Sequence, residues 1–289
     1  MAGIRTLSVT LAIVSGLAGV VTPGERVQAE TLTAETLTIG AAPALKTALK
    51  GIVTAETLTI GAAPTLKTAL KGIMPLFEKE YGATVHVVYG PSQTLRQQIE
   101  KGAPIDVFLP ASVEEVENLH KKGLTLNGGP RVYAQSSLVL VMSMTSPAMA
   151  ISFHDVLREQ GIRFAVGDPK TSALGEVTAR ALAKLDPAYH NRFRLLYAQH
   201  SGEILDLLHT GRADVGIIYR VDAINSGQVR IIDEAPGGTH VPVQFGEAMV
   251  WTCRNASLEI AEKFLDFLMS PRIRKLLIQH GFDAVPSNG

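Results

Sequence analysis

The chain has 289 residues, and its 27 Lys and Arg residues are balanced by 27 Asp and Glu residues. A neutral chain gives no electrostatic reason to bind nucleic acid or an anionic membrane, and neither partner is expected. A hydrophobic content of 46% argues against disorder. The length allows one large core or two domains.

Residues 1–29 have the pattern of a secretory signal peptide. Arg5 precedes an apolar run at residues 7–21, and the small-residue sequence VQA follows at residues 27–29. The run of about 15 residues is short for a membrane span, which needs about 20; a retained anchor helix is the alternative. Because Cys253 is the only cysteine, no internal disulfide is possible, and we expect it to be a small buried residue.

A near-exact repeat precedes the first predicted domain. Residues 33–53 recur at residues 54–74 with two differences, Ala44 against Thr65 and Val53 against Met74. Two copies are too few for a solenoid. Since the second copy continues directly into the next predicted strand, we expect residues 30–53 to be a redundant, loosely docked extension.

From residue 57 onward, short apolar segments alternate with helical ones. The apolar segments are predicted at residues 58–61, 85–89, 105–109, 136–143, 164–166, 193–197, 215–219, 229–232 and 241–253. Helices are predicted at residues 66–77, 94–101, 113–121, 153–160, 176–185, 203–210, 258–269 and 271–280. This order predicts an α/β fold with mostly parallel sheets. We expect two lobes, residues 54–135 plus 241–289 and residues 136–240, with a ligand cleft between them.

The usual catalytic and nucleotide motifs are absent from the sequence. No HExxH, CxxC, GxxxxGK[ST] or GxGxxG pattern occurs. The sequence GPSQT at residues 90–94 resembles the GxSxG motif of serine hydrolases but lacks its last glycine. Lys67, Lys71 and Arg96 are interpreted as solvated residues of helix faces. We therefore predict no catalytic residues, no direct metal ligands and no cofactor.

Polar turns precede several of the predicted helices. They contain Thr65, Ser92, the loop that ends at Leu174, and Ser201. Ordinary N-capping explains each turn taken singly. Together, helix starts with free N–H groups and hydroxyls form a site of neutral hydrogen-bond donors for an anion. Without an acidic acceptor, such a site favours a fully ionised oxyanion.

Six segments resemble the periplasmic molybdate-binding proteins of ABC importers, and the resemblance covers about residues 57–285. They are IGAAPTL at residues 60–66, GPSQTLRQQIEKGAPIDVFLPAS at 90–112, SLVLV at 137–141, VGDP at 166–169, VGIIYRVDA at 215–223, and the closing segment from FLDFLMSP to HGF. The resemblance implies the two-lobed type II periplasmic-binding-protein fold, with a tetrahedral oxyanion held between the lobes.

The resemblance also implies which residues hold the anion. Its hydroxyl ligands correspond to Thr65 and Ser92 in the first lobe and to Tyr219 in the second, and its backbone donors correspond to Leu174 and Ser201. Thr65 stands where the family commonly has serine, and the prolines before Thr65 and Ser92 are further departures. These differences affect the choice of anion more than the existence of the site.

We therefore predict a soluble, monomeric periplasmic binding protein and not an enzyme. It is expected to deliver molybdate or tungstate to an ABC permease with a cytoplasmic ATPase. One alternative is a binding protein for sulfate or another small oxyanion. The other is an enzyme on the same scaffold, since fold does not fix function.

Overall fold

The computed structural model describes residues 56–146, 152–159, 161–239 and 242–285. Over these residues the chain forms two five-stranded sheets covered by helices. The predicted signal peptide of residues 1–29 and the predicted extension of residues 30–53 lie outside the described residues. The domain boundaries proposed from the sequence therefore stay predictions.

The first sheet has the strand order β2-β1-β3-β10-β4. Its strands are β1 (Thr57–Ala62), β2 (Thr84–Tyr89), β3 (Val107–Leu109), β4 (Arg131–Ser136) and β10 (Val243–Met249). β1 pairs in parallel with β2 and β3, whereas β10 runs antiparallel to both of its neighbours. Four strands thus point in one direction, and the strand that returns from the second sheet points in the other.

The second sheet repeats this plan with the order β7-β6-β8-β5-β9. Its strands are β5 (Leu138–Ser143), β6 (Arg163–Gly167), β7 (Arg194–Ala198), β8 (Val215–Tyr219) and β9 (Val229–Glu234). Here β5, which arrives from the first sheet, is the antiparallel strand. Most strands of each sheet share one direction, as predicted, but each sheet also contains one antiparallel strand and is therefore mixed.

Helices cover the faces of both sheets. They are α1 (Lys67–Tyr81), α2 (Ser92–Glu100), α3 (Val113–Lys121), α4 (Phe153–Arg158), α5 (Ala173–Leu185), α6 (Tyr189–Arg192), α7 (Ser201–His209), α8 (Arg220–Ser226), α9 (Leu258–Met269) and α10 (Pro271–Gln279). In the part of the chain that is described, no helix is long and apolar enough to cross a membrane.

The short strand β3 shows how the first sheet is buried on both faces. Side chains alternate between the faces of a strand. Val107 and Leu109 join the main core, whereas Phe108 packs in a second cluster with residues of α2 and α3, among them Leu95 and Val116. All three β3 side chains are fully buried, which agrees with the continuous apolar pattern of that segment.

Two sequence predictions need correction. Residues 136–143 form not one strand but the end of β4 and the whole of β5, with the change of sheet at Ser137. A continuous apolar pattern shows burial but not which sheet buries it. Helix α8 was not predicted, because its seven residues are too few to show a helical period; it ends at Gly227, which has a positive φ of 62°.

The start of α5 lies in backbone contact with the end of β6. A Cβ added to Gly175 would lie 2.3 Å from the carbonyl carbon of Asp168 and 2.5 Å from that of Gly167. Both neighbours are backbone atoms, so no side chain can move aside. Glycine at this position therefore allows α5 to begin directly above the strand end.

We predict that Gly175→Ala lowers the free energy of unfolding by about 1–3 kcal/mol or more, because the added methyl group would overlap backbone atoms that cannot move aside. Gly237→Ala is the control, since no atom lies within 4 Å of its added Cβ. Thermal unfolding of both variants measures the difference. Equal melting temperatures would show that the close approach at Gly175 does not matter.

Candidate functional site

A small cavity lies where the carboxyl ends of strands from both sheets meet. It is lined by Ala63, Pro64, Thr65, Pro91, Ser92, Ala111, Ser172, Ala173, Leu174, Gln199, His200, Ser201 and Tyr219. All five residues predicted as ligands are therefore brought together in one cavity. Whether they bind an anion stays a prediction.

Two helices of the second sheet begin at the cavity wall. Helix α5 follows its cap Ser172, whose Oγ accepts a hydrogen bond from Gly175 N, and α7 follows its cap His200, whose Nδ1 accepts from Glu203 N. The first N–H groups of a helix have no acceptor within the helix, and the helix dipole gives this end a partial positive charge. Leu174 and Ser201 lie in these first turns, so their main chain suits an anion.

The first sheet contributes two further helix starts. Thr65 lies in a 3-10 turn, Pro64–Leu66, that leads into α1, and Ser92 is the first residue of α2. Pro91 occupies the cap position of α2 and has no N–H to donate. Four helix starts thus surround the cavity, an arrangement typical of anion sites.

The backbone of Ala111 orients two of the predicted hydroxyls. Ser92 Oγ accepts a hydrogen bond from Ala111 N at 3.0 Å, so its own proton remains for a ligand. The Tyr219 hydroxyl lies 3.4 Å from Ala111 O, to which it donates. Burial raises the pKa of Tyr219 well above its usual value, which keeps the hydroxyl protonated at neutral pH.

The cavity suits a compact ligand. The cavity volume is about 20 Å³, which is little more than one buried water molecule requires. Among the described residues that line it, none is Lys, Arg, Asp or Glu. A small ion held by neutral donors fits this wall better than an organic acid with a larger body.

The nearby cations are held elsewhere. Arg96, on the helix that begins with Ser92, donates Nε to Glu115 Oε2 at 2.5 Å and also pairs with Glu100. Glu115 is buried, so this ion pair fixes α2 against α3 and does not point to the ligand. Neither Lys67 nor Lys71 is among the lining residues. Lys67 and Lys71 are exposed, as interpreted from the sequence, whereas Arg96 is half-buried in its ion pairs and is not a solvated residue.

An acidic residue directly behind the cavity wall was missed by the sequence reasoning. The Thr65 hydroxyl donates to Asp222 Oδ2 at 2.8 Å. Burial raises the pKa of Asp222 to about 6, while the nearby hydroxyls of Ser201 and Thr65 act in the opposite direction. The expectation of a site without an acidic acceptor is therefore wrong. The only signal was the position of Asp222, three residues after Tyr219 in the segment VGIIYRVDA.

Contacts between residues of the two sheets close the cavity. Thr65 reaches Asp222, Tyr219 reaches Ala111, and Arg180 of α5 pairs with Glu114 of α3 at 3.3 Å. The last pair is about half exposed on both sides, so it contributes little to stability by itself. Its position shows that α3 and α5 meet beside the site.

Comparison with known proteins places the chain in a family. A family model described as bacterial extracellular solute-binding protein matches residues 58–283. The chain belongs to this family. This solute-binding protein is also 31% identical to the molybdate-binding protein ModA of Haemophilus influenzae over 202 residues, which are 68% of the chain and 77% of the relative. The predicted resemblance to molybdate-binding proteins is thereby confirmed.

Solved structures confirm the predicted fold class. The periplasmic molybdate-binding protein of Azotobacter vinelandii superposes with a TM-score of 0.68 at 23% identity, over 79% of this solute-binding protein and 100% of that chain. The sulfate-binding protein SubI of Mycobacterium tuberculosis H37Rv also gives 0.68, at 21% identity, over 80% and 88%. Both show the two-lobed α/β fold.

Asp222 predicts a dependence of stability on pH. Its pKa rises on folding from 3.8 to about 6, so the folded state holds the proton more tightly. The free energy of unfolding should fall as the pH rises from about 4 to about 6, by at most about 3 kcal/mol. Asp222→Asn should lack this fall.

Urea unfolding between pH 4 and pH 7 measures this dependence. Asp206→Asn, which neutralises an exposed carboxylate of α7, is the matched control and should follow the wild type. Parallel pH profiles for the wild type and Asp222→Asn would contradict the raised pKa.

Proposed function

We propose that the protein captures molybdate or tungstate and delivers it to an ABC permease. The observation that carries this proposal is the small cavity at four helix starts, because it offers several neutral donors and room for only a compact ion. The names of the relatives support it, since the Haemophilus and Azotobacter proteins are molybdate-binding.

The anion would be held by both lobes at once. Ser92 would contribute its hydroxyl proton, and the Tyr219 hydroxyl would turn to the anion from its long 3.4 Å bond to Ala111 O. The first turns of α5 and α7 would contribute N–H groups at Leu174 and Ser201. Because these donors lie on both sheets, binding would favour the closed arrangement of the lobes. Neutral donors hold a dianion less firmly than desolvated arginines would, which suits a protein that must release its ligand.

The cellular setting follows from the family and from residues 1–29. We infer export to the periplasm by this signal sequence and function as a monomer that docks on a permease driven by a cytoplasmic ATPase. Catalysis is not expected. Thr65 donates directly to Asp222, with no histidine between them, and this pair is not the relay that a serine or threonine hydrolase uses.

Sulfate is the second candidate ligand. It is supported by the likeness to the sulfate-binding protein SubI. Among the described lining residues, moreover, there is no Lys, Arg, Asp or Glu side chain that would select one dianion over another. The size of the ion would then separate the candidate ligands, because sulfate is a smaller tetrahedral ion than molybdate or tungstate.

Calorimetric titration with molybdate, tungstate, sulfate and phosphate tests the proposed ligand. We expect tight binding of molybdate and tungstate and much weaker binding of sulfate. Fluorescence of Trp251, which is partly exposed and donates Nε1–H to Ile99 O, gives a second readout. Tight sulfate binding without a response to molybdate would overturn the proposal.

Ser92→Ala should weaken molybdate binding by about 1.5–3 kcal/mol, the usual contribution of a hydrogen bond to a charged group. This corresponds to about a 10- to 100-fold higher Kd. Ser143→Ala, a change outside the cavity lining at the end of β5, should leave the Kd unchanged. An unaltered Kd in Ser92→Ala would remove Ser92 from the site.

A further inference from the structure

The hydroxyls that line the cavity are not equivalent. A hydroxyl has one proton to donate and lone pairs with which it accepts. Ser92 Oγ accepts from Ala111 N and keeps its proton for the cavity. Thr65 Oγ1 gives its proton to Asp222 Oδ2 at 2.8 Å, so only lone pairs remain for a ligand. Groups behind the wall therefore decide the polarity of each hydroxyl.

A fully ionised oxyanion meets a conflict at Thr65. Its oxygens are acceptors only, and they would face the lone pairs of a hydroxyl whose proton is bound to a carboxylate. The conflict ends when Asp222 takes up a proton, because a protonated carboxyl no longer competes for the Thr65 proton and adds no negative charge beside the anion.

We propose that Asp222 is a positioning residue that directs the lone pairs of Thr65 into the cavity, so that a fully ionised oxyanion is bound together with one proton. This inference rests on the proposed oxyanion-binding function and deepens it. The proton comes from solvent and resides on Asp222 while the anion is bound. An anion that carries its own proton, such as hydrogen phosphate, would instead donate to Thr65 Oγ1 and need no uptake.

The surroundings of Asp222 support a role for this one carboxylate. The charged and titratable groups on the elements packed against its helix are Lys67 at the start of α1, His200, Glu203, Asp206 and His209 on α7, Tyr219 on β8, Arg230, Asp233 and Glu234 on β9, His280 and Asp283 after α10, and Arg220 on α8 itself. The pKa of Asp222 is raised by burial and lowered by the hydroxyls of Ser201 and Thr65. None of the charged groups named above contributes to this shift.

The cation on the same helix is already paired. Arg220, two residues before Asp222, has Nε 3.2 Å from Glu234 Oε1 and Nη1 3.4 Å from Asp283 Oδ1. Among the described residues, the Asp222 side chain accepts its hydrogen bond from the Thr65 hydroxyl at 2.8 Å. The protonation of Asp222 is thus linked to the cavity wall and not to a surface ion pair.

Calorimetry in pairs of buffers with different ionisation enthalpies tests this inference. Wild-type protein titrated with micromolar molybdate at pH 7–8 should take up close to one proton per anion. Its affinity should then fall close to tenfold for each pH unit in this range. Sulfate should behave like molybdate where it binds, whereas hydrogen phosphate should bind without uptake.

Two variants separate the proposed role from a merely structural one. Asp222→Asn removes the negative charge that holds the Thr65 proton and cannot take up a proton, so Thr65 is free to donate to the anion and molybdate should bind with no uptake and no pH dependence. Its affinity at pH 8 should be at least tenfold above that of the wild type. Thr65→Val should also lose the uptake, because the carboxyl is then disconnected from the cavity. Asp206→Asn is the control and should match the wild type.

The remaining outcomes distinguish the two proposals. Molybdate binding without proton uptake in the wild type, or unchanged uptake in Asp222→Asn, would overturn the role of Asp222 and leave the proposed function intact. If neither the wild type nor any variant binds any of the anions, the proposed function fails and the role of Asp222 in anion binding fails with it.

Discussion

The site depends on one geometric constraint, the parallel direction of strands whose helices begin at the same sheet edge. In a strand–helix unit the helix starts where the strand ends, so parallel strands bring several helix N-termini to one place. The first sheet brings together the N-termini of α1 and α2, and the second sheet those of α5 and α7. The edges face each other, and four partial positive charges surround a space for one small ion. Charged side chains are then unnecessary at the wall.

Close packing behind the wall keeps these helix starts in position. Gly175 lets α5 begin in backbone contact with β6, and the ion pair between Arg96 and the buried Glu115 fixes α2 against α3. A displacement of a few tenths of an ångström at either point would move the donors relative to one another. The supporting residues carry no ligand themselves, yet the precision of the donor set depends on them.

Hydrogen bonds behind the wall also decide what each hydroxyl offers. Ser92 and Thr65 look alike in the sequence, since each is a hydroxyl residue after a proline at a helix start. Ala111 N makes the first a donor toward the cavity, and Asp222 makes the second an acceptor. Because a hydroxyl has a single proton, the identity of this hidden partner matters as much as the lining residue. Two hydroxyls that look like equivalent donors thus differ in the cavity, because Ser92 presents a proton and Thr65 presents lone pairs.

The sequence alone determined the alternation of strands and helices, the two-lobed fold class and the five residues that meet in the cavity. Local patterns of burial and polar turns indicated the strands, the helices and the turns at Thr65, Ser92, Leu174 and Ser201, and the family resemblance added Tyr219. Tertiary structure decided what local patterns cannot contain. It placed the change of sheet at Ser137, paired Thr65 with a carboxylate 157 residues away, and buried that carboxylate enough to raise its pKa to about 6. Burial and long-range hydrogen bonds arise only when distant segments pack together, so the position of Asp222 near Tyr219 could not by itself reveal its part in the site.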